Sequence, residues 1–130
     1  MMQVKETEQE WTRVCALTDI LPNTGVCVLL AGEQVAVFRV GGGETCFAIG
    51  NFDPFSRANV LSRGLVGDRN GRIKVASPIF KQNFCLKTGE CLDDDTVSVP
   101  AYDLRVVANG IEIRKAAQKR LPKVEIALVN

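Results

Sequence analysis

The stretch VASPIFKQNFCLKTGECL, residues 75–92, has the frame of a metal-binding hairpin. It reads as a strand, a small residue followed by proline, a short loop, and a second strand ending in a Lys-Thr-Gly-Glu turn. An iron–sulfur cluster in such a loop takes thiolate or imidazole at fixed offsets. Ser77 and Phe80 stand at those offsets instead, and the chain contains no histidine. The frame of a metal site is present and its ligands are not.

Other residues with chemical potential are few. Cysteines lie at positions 15, 27, 46, 85 and 91. Three fall in strand-like apolar stretches, where a free thiol packs as a small hydrophobe. Cys85 and Cys91 flank the turn Lys87 to Glu90 and are placed to face each other across a hairpin. A reducing compartment keeps such a pair as thiols, so no structural disulfide is expected. None of the five reads as sitting in an electropositive setting. Asp93, Asp94 and Asp95 are adjacent, and three carboxylates in one turn point in different directions, which suits solvation better than a metal. Gly41 to Gly43 invites a phosphate-loop reading, but such loops open a helix, whereas Thr45 to Ile49 is short and strand-like, so a hairpin turn is expected. No carboxylate pair, base or nucleophile stands at an assignable spacing.

The elements that would position these residues read as strands. VCVLL (26–30) and EQVAVFRV (33–40) flank Ala31-Gly32, a tight hairpin signal. Residues 51–71 carry Pro, Asn, Gly, Ser and Asp with weak periodicity and read as one long loop, closed by the DRNG turn before RIKVA (72–76). YDLRVVA (102–108) and IEIRK (111–115) are joined by Asn109-Gly110, which reads as the strongest two-residue hairpin turn. The fold class is all-β, with turns at the spacing of a sandwich or small barrel. Residues 1–10 are polar and acidic and are expected to be disordered. The tail, 116–130, reads as a helical turn, an edge strand or a loose end.

Composition sets the outer limits. The 130 residues are 46% hydrophobic, enough for one domain that buries its core without disulfides or metals. Sixteen Lys and Arg against fifteen Asp and Glu give a net charge of +1, so no global field points to nucleic acid or an acidic membrane. No apolar run approaches the roughly 20 residues of a spanning helix, and the first residues lack a signal-peptide core, so a cytoplasmic location is expected.

The order of these parts resembles the Rieske-type fold over about residues 11–115. That fold has a first loop reading Cys-x-His, a second reading Cys-Pro-x-His, a following Phe, an Arg-Thr-Gly turn and a closing hairpin. Here Ser77-Pro78-Ile79-Phe80, Phe84 and Lys87-Thr88-Gly89 lie on the second loop, and Asn51-Phe52-Asp53 on the first. The resemblance makes Asn51, Asp53, Ser77 and Phe80 degenerate ligand positions, so it implies no cluster. A cluster-free chain with NFDPF and SPIFKQNF in the two loops is similar to the small-subunit family of bacterial cytoplasmic NAD(P)H-dependent nitrite reductases. The resemblance implies an accessory subunit, part of nitrate assimilation, that is not catalytic alone. Its partner would be the large subunit, which carries FAD, an iron–sulfur cluster and sirohaem and reduces nitrite to ammonium. The competing reading is a free-standing Rieske-like binding or regulatory module.

Two features bear on docking. Phe52, Phe55, Phe80 and Phe84 lie in or beside the two loops, either as an apolar plug replacing the metal or as exposed partner-binding aromatics. Between the loops, Arg57, Arg63, Arg69, Arg72 and Lys74 stand against the single Asp68 and either meet an acidic partner or are merely solvated.

Overall fold

The computed structural model describes residues 10–116. The expectations for residues 1–10 and 116–130 therefore lie, except at Glu10 and Ala116, outside the described residues. Eleven strands run in chain order: β1 (Thr12–Ala16), β2 (Thr24–Leu30), β3 (Glu33–Arg39), β4 (Cys46–Gly50), β5 (Phe52–Asp53), β6 (Ala58–Asn59), β7 (Leu65–Arg69), β8 (Arg72–Ala76), β9 (Asn83–Cys85), β10 (Ala101–Val107) and β11 (Gly110–Lys115). Among the described residues helix is confined to 3₁₀ turns at Leu17–Asp19 and Leu61–Arg63. The all-β expectation holds.

Six strands form one antiparallel sheet in the order β1-β11-β10-β4-β3-β2. Its edge strands β1 and β2 lie against each other, which curls it towards a barrel. A three-stranded sheet, β7-β8-β9, and the two-stranded β5-β6 hairpin form a second, smaller body. The apolar run Val35-Ala36-Val37-Phe38 explains how the two bodies join. Val35 and Val37 point into the barrel with Leu17, Ile20, Ile111 and Ile113, while Ala36 and Phe38 point out to meet Leu61, Val75, Phe84 and Leu86. A strand buried on both faces reads as continuous rather than alternating hydrophobicity. Phe38 and Phe84 are fully buried, each worth roughly 1.5–3 kcal/mol in transfer from water.

Several turns follow the sequence reading. Ala31 and Gly32 both take positive φ, 52° and 84°, as the two-residue turn between β2 and β3 requires. Asn70 and Gly71 do the same between β7 and β8. The triple glycine forms the β3–β4 hairpin turn, where Arg39 donates to the carbonyls of Gly42 and Gly43 at 2.9 and 3.0 Å. Those carbonyls close around a cation, the opposite polarity to a phosphate loop.

Other expectations are corrected. Residues 51–71 are not one loop: they hold β5, β6, a 3₁₀ turn and β7, which pairs with all five residues of β8. Gly67, Asp68 and an exposed Leu65 mask β7, and it is fixed by its partner rather than by its own pattern. β1 was missed as a strand; it pairs with β11 through a register shift between Arg13 and Cys15. The turn before β11 is Ala108-Asn109, with φ of 49° and 66°, rather than Asn109-Gly110. Gly110 is instead the first residue of β11, opposite Val107. A Cβ there would lie 1.9 Å from Arg13 Nη1, so this glycine admits the arginine rather than the turn. Cys85 and Cys91 do not face each other, because the bridge pairs Cys91 with Phe84, one residue out of step.

Candidate functional site at the two degenerate loops

The first loop is anchored by Asn51, where β4 gives way to β5. Its Nδ2 donates to Gln34 Oε1 at 3.0 Å and its Oδ1 accepts from the Ser62 amide at 2.7 Å. Backbone bonds repeat both links, from the Asn51 amide to Gln34 O and from the Leu61 amide to Asn51 O. A buried amide so satisfied costs little and fixes the loop between β3 and the Leu61–Arg63 turn. Gln34 and Ser62, its partners, carry no signal in the sequence that marks them.

Asp53 organises the next turn. Its Oδ1 accepts from the Phe55 amide and its Oδ2 from the Ser56 hydroxyl, both at 2.9 Å, while its carbonyl accepts from the Arg57 amide. The second loop closes on Ser77, whose carbonyl accepts from the Lys81 amide and whose amide donates to Gln82 O. The Ser77 hydroxyl then donates to Asp53 Oδ2 at 2.5 Å. Two degenerate positions, one from each loop, are thus bonded directly. Burial pushes the Asp53 carboxyl up, but bonds from the Ser77 hydroxyl, the Phe55 amide and Ser56 more than offset this and hold it below the ordinary carboxylate value.

The fourth position behaves differently. Phe80 is 58% exposed, so the plug reading is corrected for this residue. Phe52 is 48% exposed. Phe84 is the buried aromatic, with the Phe55 ring tilted against it at a centroid distance of 6.2 Å. The plug is therefore Phe84 with Phe55, and Phe52 and Phe80 face water.

The run of cations also divides. Arg69 bonds Asp93 Oδ1 at 3.0 Å and the Leu92 carbonyl, Arg72 bonds Glu90 at 3.0 Å, and Lys74 bonds Asn83 Oδ1. Arg57 and Arg63 are exposed, and neither forms an ion pair among the described residues. Arg69 does not join them as a free cation, because β7 carries it to the far end of the small sheet. The three aspartates serve turns: Asp93 accepts from the Asn83 amide, which with Arg69 holds its carboxyl low, and Asp94 accepts from Thr96.

Cys85 lies under the Lys87–Glu90 turn. It is buried, which pushes its thiol up, yet the Thr88 hydroxyl, the amides of Thr88 and Lys87, and the Arg72 guanidinium bring it net below the ordinary thiol value. Most of these donors reach the thiol because the chain folds the Lys87–Glu90 turn over it, a proximity that spacing alone does not show.

A [2Fe–2S] centre of Rieske type takes two thiolates and two imidazoles. The residues at the four positions do not fit it. They offer an amide, a carboxylate, a hydroxyl and a phenyl ring; the first three are spent in hydrogen bonds to protein, and Asp53 and Ser77 bond directly to each other. Among the described residues no three His, Cys, Asp or Glu are grouped to hold a metal. No described helix is long and apolar enough to cross a membrane.

Comparison with known proteins matches the same residues. The family model of the Rieske-like [2Fe-2S] domain matches residues 10–114. The small subunit of nitrite reductase (NADH) from Salmonella typhimurium is 49% identical over 105 residues, covering 81% of this chain and 97% of that protein. The NMR structure of the Escherichia coli protein NirD superposes with a TM-score of 0.79 at 44% identity, over 85% of this chain and all of that one. The large subunit of nitrite reductase [NAD(P)H] from Klebsiella oxytoca contains a stretch 38% identical to this chain, matching 74% of it but only 10% of the larger protein. With the frame of the two loops kept and their ligands replaced, the chain belongs to the Rieske-like [2Fe-2S] domain family and, within it, to the small subunits of NADH nitrite reductase.

Proposed function

We propose that the chain is a redox-inactive accessory subunit of a cytoplasmic NAD(P)H-dependent nitrite reductase, binding the large catalytic subunit and stabilising it. FAD, iron–sulfur cluster and sirohaem would all reside in that subunit, and nitrite would be reduced to ammonium there. The observation that carries this reading is the Ser77–Asp53 hydrogen bond. It joins the two loops by protein groups alone, so the frame survives as a scaffold with no ligand set for electron transfer. The Klebsiella relative supports the choice of partner, since a domain of this kind is there part of a large-subunit polypeptide.

The test is co-expression of the chain with the large subunit from the same source. The expected result is a co-purifying complex in which reduction of nitrite by NADH or NADPH depends on the large subunit, with the small chain alone colourless, iron-free and inactive. Stoichiometric iron bound to the isolated chain, with visible charge-transfer bands, would overturn it. A chain that never co-purifies with the large subunit would favour the free-standing module.

A further inference from the structure

Among the described residues seven large hydrophobics are markedly exposed, and three of them, Phe52, Ile79 and Phe80, lie in the two loops that the Ser77–Asp53 bond joins. Phe52 adjoins Asp53. Ile79 and Phe80 follow Ser77 within three residues, and Leu65 stands opposite Ala76 at the start of that loop. Ile79 and Phe80 are adjacent in the second loop, whereas Phe52 lines a cavity with Glu33, Gln34 and Tyr102 of the barrel. Isolated exposed apolar residues need no explanation, but a grouped set marks an interaction site.

The charges around this set point the same way. Arg57, Arg63 and Lys81 are exposed and form no ion pair among the described residues, whereas Arg69, Arg72, Arg105 and Arg114 are all paired. Residues 51–64 and 77–82 contain a single carboxylate, that of Asp53, which is buried. Arg13, Lys87 and Lys115 are likewise exposed with no ion pair among the described residues, but Lys81 adjoins Phe80 directly and the Arg57 amide is bonded to the Asp53 carbonyl, which places these two cations at the joined loops. The loop tips are also rigidly set. Arg57 and Lys81 adopt φ of 60° and 64°, a costly conformation for non-glycine residues, and each is held by a backbone bond back to Asp53 or Ser77.

We propose that the face of the joined loops, centred on Phe80 and rimmed by Arg57, Arg63 and Lys81, is the surface that docks on the large subunit, whose complementary face is an apolar pocket edged by carboxylates. The proposal rests on the accessory-subunit reading above. Phe80 acts as the anchor, Ile79 and Leu65 widen the apolar contact, and the cations steer the approach. The position that relatives of this fold use for a metal ligand serves here as a contact residue.

The experiment measures binding of the full chain to the purified large subunit by biolayer interferometry, at several salt concentrations. Phe80→Ala is expected to weaken binding by roughly tenfold or more while leaving the thermal midpoint of the free chain unchanged. The double variant Arg57→Glu, Arg63→Glu is expected to slow association and flatten its salt dependence. Leu29→Ala, an exposed leucine on the barrel edge strand, is expected to bind as the wild type does. Wild-type binding that survives both Phe80→Ala and the double reversal, or that Leu29→Ala abolishes, removes this surface and leaves the subunit reading intact. Failure of the wild-type chain to bind removes both.

Discussion

The Ser77 hydroxyl and the Asp53 carboxylate meet at 2.5 Å, and this one contact closes two loops that lie 24 residues apart in sequence. Both side chains are buried, so the bond is made in a setting where a charged acceptor counts for more than at the surface. Asp53 in its folded environment sits below its ordinary value of 3.8. The unfolded chain therefore binds the proton more readily, and the stabilisation is complete above about pH 4 and lost as pH falls through the lower folded value. Asp53→Asn is expected to cost roughly 1.5–3 kcal/mol at neutral pH. Urea unfolding of both proteins at pH 7 and pH 3 checks it: the gap should narrow in acid, and a gap independent of pH would contradict the assignment.

A second expectation concerns the aromatic pair beneath the loops. Phe84 is fully buried against Phe38, Val75 and Leu86, and Phe80 is not. Phe84→Ala should cost roughly 3–5 kcal/mol, and Phe80→Ala less than roughly 0.5 kcal/mol in the free chain. Denaturant midpoints of the two variants decide it, and the reverse order would restore Phe80 as the plug.

Gly89 and Gly71 separate conformational freedom from close approach. Both have φ near +85°, but a Cβ on Gly89 would lie 2.1 Å from the Val99 carbonyl, while one on Gly71 meets nothing within 4 Å. Gly71→Ala should cost about 1 kcal/mol, the left-handed penalty alone. Gly89→Ala should cost clearly more, because Val99 must shift and the bond its amide donates to the Gly89 carbonyl is disturbed. Equal thermal shifts for the two would show that the Lys87–Glu90 turn yields freely.

Trp11 is the chain's only tryptophan, and the guanidinium groups of Arg105 and Arg114 lie 4.2 and 4.3 Å from its ring centroid. Each arginine is also paired across β10 and β11, to Glu112 and Asp103. Replacing either arginine by alanine should shift the emission maximum to longer wavelength and cost about 0.5–1 kcal/mol. Emission unchanged in both variants would mean that the ring does not rest on this pair.

The sequence made parts of this legible because some residues act locally. Ala31-Gly32 and Asn70-Gly71 sit where the backbone needs two positive φ values, and no tertiary contact overrides them. The loop frame around Ser77-Pro78 was legible for the same reason, as were the positions of the missing ligands. Gly110 misled because its lack of a side chain serves Arg13, a residue nearly a hundred positions away. β7 was hidden because its partner strand, not its composition, makes it extended. The partners of Asn51 and the cradle of Cys85 come from chain segments brought together only by folding. Exposure of Phe80 rather than Phe84 likewise depends on which ring the β3 face happens to meet.

β3 contributes alternate residues to both bodies, Val35 and Val37 to one and Ala36 and Phe38 to the other. A wall shared in this way denies either side an opening of its own: exposing Phe38 to water drags the strand away from Val37 and its neighbours. In native-state hydrogen exchange the β8–β9 amides behind the loops should therefore open with the same free energy as those of β3 and β4, as one foldon. Any strain or support that a bound protein applies at the loops would then be felt as global resistance to unfolding, readable as slower proteolysis of the whole chain.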